Sequence, residues 1–296
     1  MIRTPQAKTL GVLAVVCLVV AFSFSSTLVK RAETAGVLVA FWRMLIVSLA
    51  WNVVLWSSGR RVTTADVRAV WIPGVFFGLN LAVFFTGATH NSVANAALIG
   101  SCAPLLIVPA GAWLFREHID PRALLCAAIA FGGLALVLLN APPGGDATLL
   151  GNVFGVLAML LQVSYVVSTK HFRRDMDVTT FMATICPIAT VAVFPIAIAH
   201  GGVFGMSATG WKYTLILSFT SGITAQGLLV YAQKTIQIGT IGIAQVAQPA
   251  LAVVWSYLLL SEVINGRQAL GIAIVTAGLL AFTLLNQPGD RRDRAR

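Results

Sequence analysis

The sequence predicts an all-α polytopic membrane protein of ten transmembrane helices, built as two inverted five-helix repeats. Three observations carry that prediction. The 296-residue chain is 58% hydrophobic and only 10% charged, whereas a soluble domain carries about 25% charged residues. Ten apolar runs of about twenty residues follow one another, and twenty residues at 1.5 Å rise cross a hydrocarbon core of roughly 30 Å. Finally, Pro104, Glu117, Arg122 and Gly133 return as Pro249, Glu262, Arg267 and Gly278, each 145 residues further on. Between 104–134 and 249–279, 12 of 31 positions are identical. Apolar composition explains some of these matches, but not a Pro, Glu, Arg and Gly in register. The pattern marks a duplicated half, and duplicated membrane halves are characteristic of transporters.

The apolar segments are 10–29, 36–57, 69–88, 92–115, 122–140, 150–169, 178–199, 211–233, 239–260 and 267–286. Period-2 alternation is absent, and an open strand edge is untenable in lipid, so helices are expected rather than a barrel. Segment 1 follows Arg3 and Lys8 and contains Ala21-Phe22-Ser23, which resembles a signal-peptide cleavage site. Its apolar run continues to Val29, and the repeat needs a helix there to match segment 6, so it is expected to be mature structure. Residues 1–140 form the first repeat and 150–286 the second. Between them 141–149 is a linker, marked by Ala141-Pro142-Pro143-Gly144-Gly145-Asp146. Five helices per half is an odd number, so the second copy enters the membrane from the opposite side.

The net charge of +10 suggests nucleic-acid binding until the charges are placed. With the N-terminus inside, 15 of the 20 basic residues fall in inside segments, among them Arg60, Arg61, Arg116, Arg122, Arg173 and Arg174. Lys30, Arg31, Lys212 and Arg267 fall outside, and Arg43 lies within segment 2. The bias places both termini in the cytoplasm. The basic tail, 287–296, reads as an inside anchor, not a nucleic-acid site.

No enzyme constellation is present: no HExxH, GxxxxGK[ST] or GxSxG motif, and no paired mid-membrane carboxylate. Cys17, Cys102, Cys126 and Cys186 lie in apolar segments without CxxC spacing, so neither a metal nor a cofactor is expected. All ten acidic residues fall at segment ends or in loops. Proton-coupled carriers titrate an Asp, Glu or His inside the membrane. Here only His90 comes near, at the outer turn between segments 3 and 4, which favours facilitated diffusion or exchange.

Arg43 is about seven residues deep in segment 2, where a charge costs at least about 2.5 kcal/mol on insertion scales. It must face the bundle, a partner or water. Two roles are open: attracting an anionic group such as a substrate carboxylate, or bonding carbonyls of a neighbouring helix. Pro104 and Pro249 stand near the middle of segments 4 and 9, where each would free one backbone carbonyl, that of Gly100 or Gln245. Matched interruptions at mid-depth point to a central site, and a simple kink is the alternative.

Polar residues form helical stripes around these prolines. Asn91, Asn95 and Cys102 share a face of segment 4, and Gln245, Gln248 and Trp255 one of segment 9. Gln162, Tyr165 and Thr169 share a face of segment 6; Ser23, Ser26 and Thr27 lie in segment 1; Thr220, Thr224 and Tyr231 in segment 8. Segment 3 offers Asn80 with Phe76, Phe77 and Phe84. Singly, each suits an interhelical hydrogen bond. Together they suggest an amide-rich, aromatic-lined cavity for an uncharged or zwitterionic solute. Gly74 and Gly78, and Gly151 and Gly155, make GxxxG pairs that allow close helix contact. Glu117 with Arg122, and Glu262 with Arg267, are expected as helix-end ion pairs, with gating the alternative role.

These residues resemble a known family. The stretches PLLIVPAGAWLFREHIDPRALLCAAIAFGG from Pro104 and PALAVVWSYLLLSEVINGRQALGIAIVTAG from Pro249, with FWRMLIVSLA around Arg43, are similar to the EamA family of the drug/metabolite transporter superfamily. The first copy's FREH departs slightly from the usual pattern, which the second copy's LLSE fits. The resemblance implies ten helices, cytoplasmic termini and a central cavity lined by helices 1, 3, 4, 6, 8 and 9. Within the family the chain looks most like bacterial inner-membrane exporters of amino acids, particularly aromatic ones, with a small-molecule substrate and the bilayer as partners. A monomer is compatible with this. Three competing roles are exchange of phosphorylated metabolites, proton-coupled drug export and non-transporting membrane sensing. The first would call for several embedded cations besides Arg43.

Overall fold

A computed structural model of the chain describes residues 5–115, 121–140, 148–172, 176–201, 203–235, 247–261 and 264–285. Among them there is no strand. The first half contains α1 (Pro5–Ser23), α2 (Ser25–Arg31), α3 (Gly36–Ser57), α4 (Thr64–Thr89), α5 (Val93–Ser101), α6 (Ala103–Phe115) and α7 (Pro121–Leu139). The second contains α8 (Leu149–Phe172), α9 (Val178–Ala199), α10 (Ala208–Leu217), a π-helical turn (Ser218–Thr224), α11 (Ala225–Thr235), α12 (Gln248–Leu260) and α13 (Gly266–Leu285). Five helical stretches are long and apolar enough to cross a bilayer: Leu13–Arg31, Gly36–Ser57, Thr64–Thr89, Leu149–Thr169 and Val178–Ala199.

The helices start where the sequence supplies a cap. Thr63 accepts from the Asp66 amide while the Asp66 carboxylate accepts from the Thr63 amide, a capping box at the head of α4. Ser92, Asp177 and Ser207 cap α5, α9 and α10. Asp177 also joins the halves, since Arg60 donates to both its oxygens at 2.8 and 3.1 Å. Arg60 first, and Thr180 after it, hold the Asp177 carboxyl well below its ordinary value of 3.8. A carboxyl with a lowered folded pKa adds stability above its unfolded value and loses it as pH falls through the folded one. Asp177→Ala is therefore expected to cost about 1 kcal/mol at neutral pH, as cap removal does. That difference from wild type should shrink as the pH drops below 3.8, read as thermal midpoints in detergent.

Among the described residues, segments 1, 4 and 8 are interrupted. Segment 1 breaks at Phe24, between α1 and α2. Segment 4 breaks at Cys102, whose amide donates to the Ile99 carbonyl in a tight turn. The interruption falls two residues ahead of Pro104. Proline then stands second in α6, where its missing N–H loses no helical bond. Segment 8 widens into the π-helical turn, with Ser218 and Ser221 buried. Pro249 also stands second in its helix, α12, and is buried. Residues 239–246 of segment 9, Gln245 among them, lie outside the described residues, as do Glu117 and Glu262.

Glycines set the closest crossings. A Cβ on Gly36 would fall on the Phe85 and Thr86 backbone, so α3 meets α4 backbone to backbone. Gly78 faces α9, where a Cβ would lie 2.9 Å from Ala189 Cα. The two repeated glycines have matching roles. Gly133 of α7 lies against Ile274 and Val275 of α13, and Gly278 of α13 lies against Ala130 of α7. Each copy's glycine thus receives the other copy's helix.

Candidate functional site

The α4–α8 seam gathers several of the expected residues. Asn80 Nδ2 donates to the Ala158 carbonyl at 2.6 Å, and Tyr165 stacks on Phe77 at 4.9 Å between centroids. Phe84 lies beside Gly100, a Cβ on which would be 3.5 Å from the Phe84 ring. Phe76 and Gln162 are half-buried in the same two helices. At the end of the seam nearest His90, Asn91 Nδ2 donates to Asn152 Oδ1 at 2.8 Å, and Thr148 donates to the His90 carbonyl at 2.6 Å. Gly151 packs directly on that carbonyl.

Asn95 is placed on α5 by the same periodicity. Asn91 meets α8 through Asn152, and Ile99 meets α8 through Gly155, where a Cβ would lie 2.8 Å from Ile99 Cδ1. Residues four apart on a helix share a face, so Asn95 stands one turn before Ile99 on the α8 side of α5. It is fully buried, and neither its oxygen nor its nitrogen has a partner among the described residues. A buried amide without partners costs roughly 1–3 kcal/mol, so the side chain is suited to a partner that arrives from elsewhere. Thr27 of α2 is in the same condition, with zero exposure and no partner for its Oγ1.

Arg43 is not in this seam. It is 6% exposed and lies between α3, α4 and the π-helical turn. Its Nη2 donates to Ser221 Oγ at 3.1 Å, and its guanidinium carbon lies 5.4 Å from the centre of the Phe85 ring. Its Nε has no partner among the described residues. Among the described residues no carboxylate pairs with it. The acceptor is a hydroxyl that itself donates to the Leu217 carbonyl at 3.0 Å. A charge buried with one neutral acceptor and an aromatic face is only partly compensated.

The remaining residues fall at the edges. Thr224 is exposed at the end of the π-helical turn, and Gln248 is half-buried at the start of α12. The side chains of Pro104 and Tyr231 lie outside the described set. Arg122 is exposed in the first turn of α7. Arg267 donates to Asn140 Oδ1 at 3.3 Å, while Asn265 donates to the Asn140 carbonyl at 2.7 Å, tying α13 to the end of α7. The expected partners Glu117 and Glu262 lie outside the described residues.

Sequence reasoning missed the π-helical turn, Ser221 as the Arg43 acceptor, and a cluster around Trp255. Trp255 stacks on Phe24 with centroids 4.2 Å apart and planes 17° apart, and its Nε1 donates to Ser23 Oγ at 2.8 Å. The Ser23, Ser25 and Ser26 run in an apolar segment was the one hint of the break at Phe24.

An all-helical architecture with five bilayer-length apolar stretches, buried polar side chains and interrupted helices defines a multi-pass membrane protein. The EamA-like transporter family matches residues 9–139 and again 149–284. The chain belongs to the EamA-like transporter family. It is similar to an uncharacterized transporter of Archaeoglobus fulgidus, 24% identical over 70% of this chain and 73% of that one. It is also similar to the uncharacterized transporter YxxF of Bacillus subtilis, 24% identical over 96% and 92%. A further relative is the uncharacterized transporter YetK of Bacillus subtilis, 21% identical over 69% of this chain and 64% of its own length. A solved crystal structure, 20% identical, superposes with a TM-score of 0.63 over 96% of this chain and 99% of that one; it speaks for the fold alone.

Proposed function

We propose that the protein is a bacterial inner-membrane exporter of small neutral or zwitterionic metabolites, amino acids including aromatic ones, working by alternating access without proton coupling. The observation that carries this reading is the twofold family match over nearly the whole chain, combined with buried amide, hydroxyl and aromatic groups beside interrupted helices. Ten spans in two inverted halves, with cytoplasmic termini, complete it.

The helix contacts support a twofold relation between the halves, which the odd number of spans per half would make an inversion. A twofold axis that exchanges segments n and n+5 must map contact 3–6 onto contact 8–1. The α4–α8 and α11–α1 packings form that pair, and α3–α9 and α7–α13 are the self-paired contacts 2–7 and 5–10. Exposed aromatics support the positions of the span ends. Trp56, Trp71 and Trp113 lie toward the proposed inner ends, and Phe204 and Tyr257 toward the outer ends, as interfacial belts do.

The α4–α8 seam with Phe76, Asn80, Phe84, Asn95, Gln162 and Tyr165 borders the path, together with Thr224, Tyr231, Gln245 and Gln248. Arg43 supplies the positive charge, and the interruption before Pro104, with Pro249 as its repeat counterpart, lets the halves rock. Glu117 with Arg122 and Glu262 with Arg267 brace helix ends. Cells producing the protein should retain less preloaded radiolabelled phenylalanine than cells producing the Arg43→Gln variant at equal membrane abundance. Equal retention by cells with and without the protein would contradict export.

A further inference from the structure

Regular hydrogen bonding in helix 1 is interrupted at Phe24, which sets the short α2 apart from α1. Two contacts hold it and the break to α12. The Trp255 ring lies on Phe24 and donates to Ser23 Oγ, and Arg31 Nη2 donates to the Leu259 carbonyl. Leu259 is in the last turn of α12, where carbonyls lack helical partners and a cation is favoured. The helix ends there, with Ser261 left-handed at φ 55°. A cavity of about 320 Å³ opens on the same junction, lined by Lys30, Arg31, Glu33, Leu259, Leu260 and Ser261. Its wall carries two cations, one carboxylate and the carbonyl end of a helix.

We propose that this junction is the outer gate of the transport path, and that the cavity docks a zwitterionic solute whose carboxylate competes for Arg31. The inference rests on the transport reading above. Both signs of charge are present within one small cavity, which suits a carboxylate on the Lys30 and Arg31 side. An ammonium group fits against Glu33 and the α12 carbonyls. Arg31 is shared between the two states. A carboxylate offers a bidentate, charged acceptor, which a guanidinium prefers to a single neutral carbonyl. Docking therefore withdraws Arg31 from Leu259 and leaves the join to α12 resting on helix packing and on the Trp255 contact with Ser23 and Phe24. Loss of that contact opens the outer end.

Ser26 reads the state of the gate. It lies one turn inward of Lys30 in α2 and is 4% exposed. The test uses full-length Ser26→Cys protein in right-side-out vesicles, labelled from outside with a membrane-impermeant anionic thiosulfonate against a wild-type background. External phenylalanine is expected to raise the labelling rate at least about threefold. Phenylalanine amide and phenylacetate, each lacking one of the two charges, should leave it unchanged. Adding Arg31→Gln should give fast labelling without any solute, and Trp255→Phe, which keeps the stack but loses the bond to Ser23, an intermediate rate. Equal acceleration by the amide would overturn the zwitterion site. Slow labelling in Arg31→Gln would overturn the gate. Should that variant not fold, the solute comparison in the Ser26→Cys protein alone decides. Solute-dependent labelling without any flux of phenylalanine would instead overturn the transport reading and leave the gate standing.

Discussion

Arg43→Gln is expected to lower phenylalanine flux at least about tenfold, equivalent to roughly 1.4 kcal/mol, while the protein remains folded and monodisperse. Glutamine keeps an amide donor, though two bonds shorter in reach than the guanidinium Nη2, and removes the charge. Ser221→Ala makes the opposite change, keeping the charge and removing the hydroxyl that accepts from the guanidinium. Flux in that variant should stay within about threefold of wild type, because the charge is retained and the lost hydrogen bond is felt chiefly as lower folding stability. If Arg43 served only to hold the π-helical turn, the order would reverse, with Ser221→Ala the more damaging change and Arg43→Gln tolerated. Flux measured at equal protein density, beside thermal midpoints, separates the two roles.

Gly36→Val is expected to abolish accumulation of folded protein. The Cβ of any residue at this position would fall on the backbone of Phe85 and Thr86. A flexible side chain could move aside, but a helix backbone in a close-packed bundle cannot without shifting α3 from α4. The same substitution at Gly132 has open space around it and should be tolerated apart from a helix-propensity effect below about 1 kcal/mol. Size-exclusion profiles of the two variants in mild detergent check the contrast. A normal profile for Gly36→Val would mean that the α3–α4 crossing is looser than its glycine contact requires.

How much of this was legible in the sequence varies with the physics involved. Segments 36–57 and 178–199 became α3 (Gly36–Ser57) and α9 (Val178–Ala199) to the residue, because polar turns and a capping Asp177 bound them sharply. The GxxxG pairs were legible as close contacts, since nothing but a missing side chain lets Gly78 reach Ala189. The repeated Gly133 and Gly278 signalled duplication, but their mutual crossing could not be read, because the α7–α13 register is set only when the helices dock. The break at Phe24 left almost no trace, since neither proline nor glycine marks it. The π-helical turn depends on one residue's excess in a helix of ordinary composition. The Arg43–Ser221 bond spans 178 residues, and a single sequence carries no signal that pairs them. Asn95 shows the reverse case. Its stripe was plain in the sequence, yet only the structure shows that its amide is buried without a partner.

Counterflow in proteoliposomes decides whether zwitterionic solutes cross between the halves without an ion gradient. Vesicles holding purified protein are loaded with unlabelled phenylalanine and diluted into trace labelled phenylalanine, with identical salt and pH on both sides. A path of the proposed kind predicts transient, saturable accumulation of label, reduced at least about tenfold in Arg43→Gln. Label uptake no greater than in protein-free vesicles, for phenylalanine and every other amino acid tried, would contradict it.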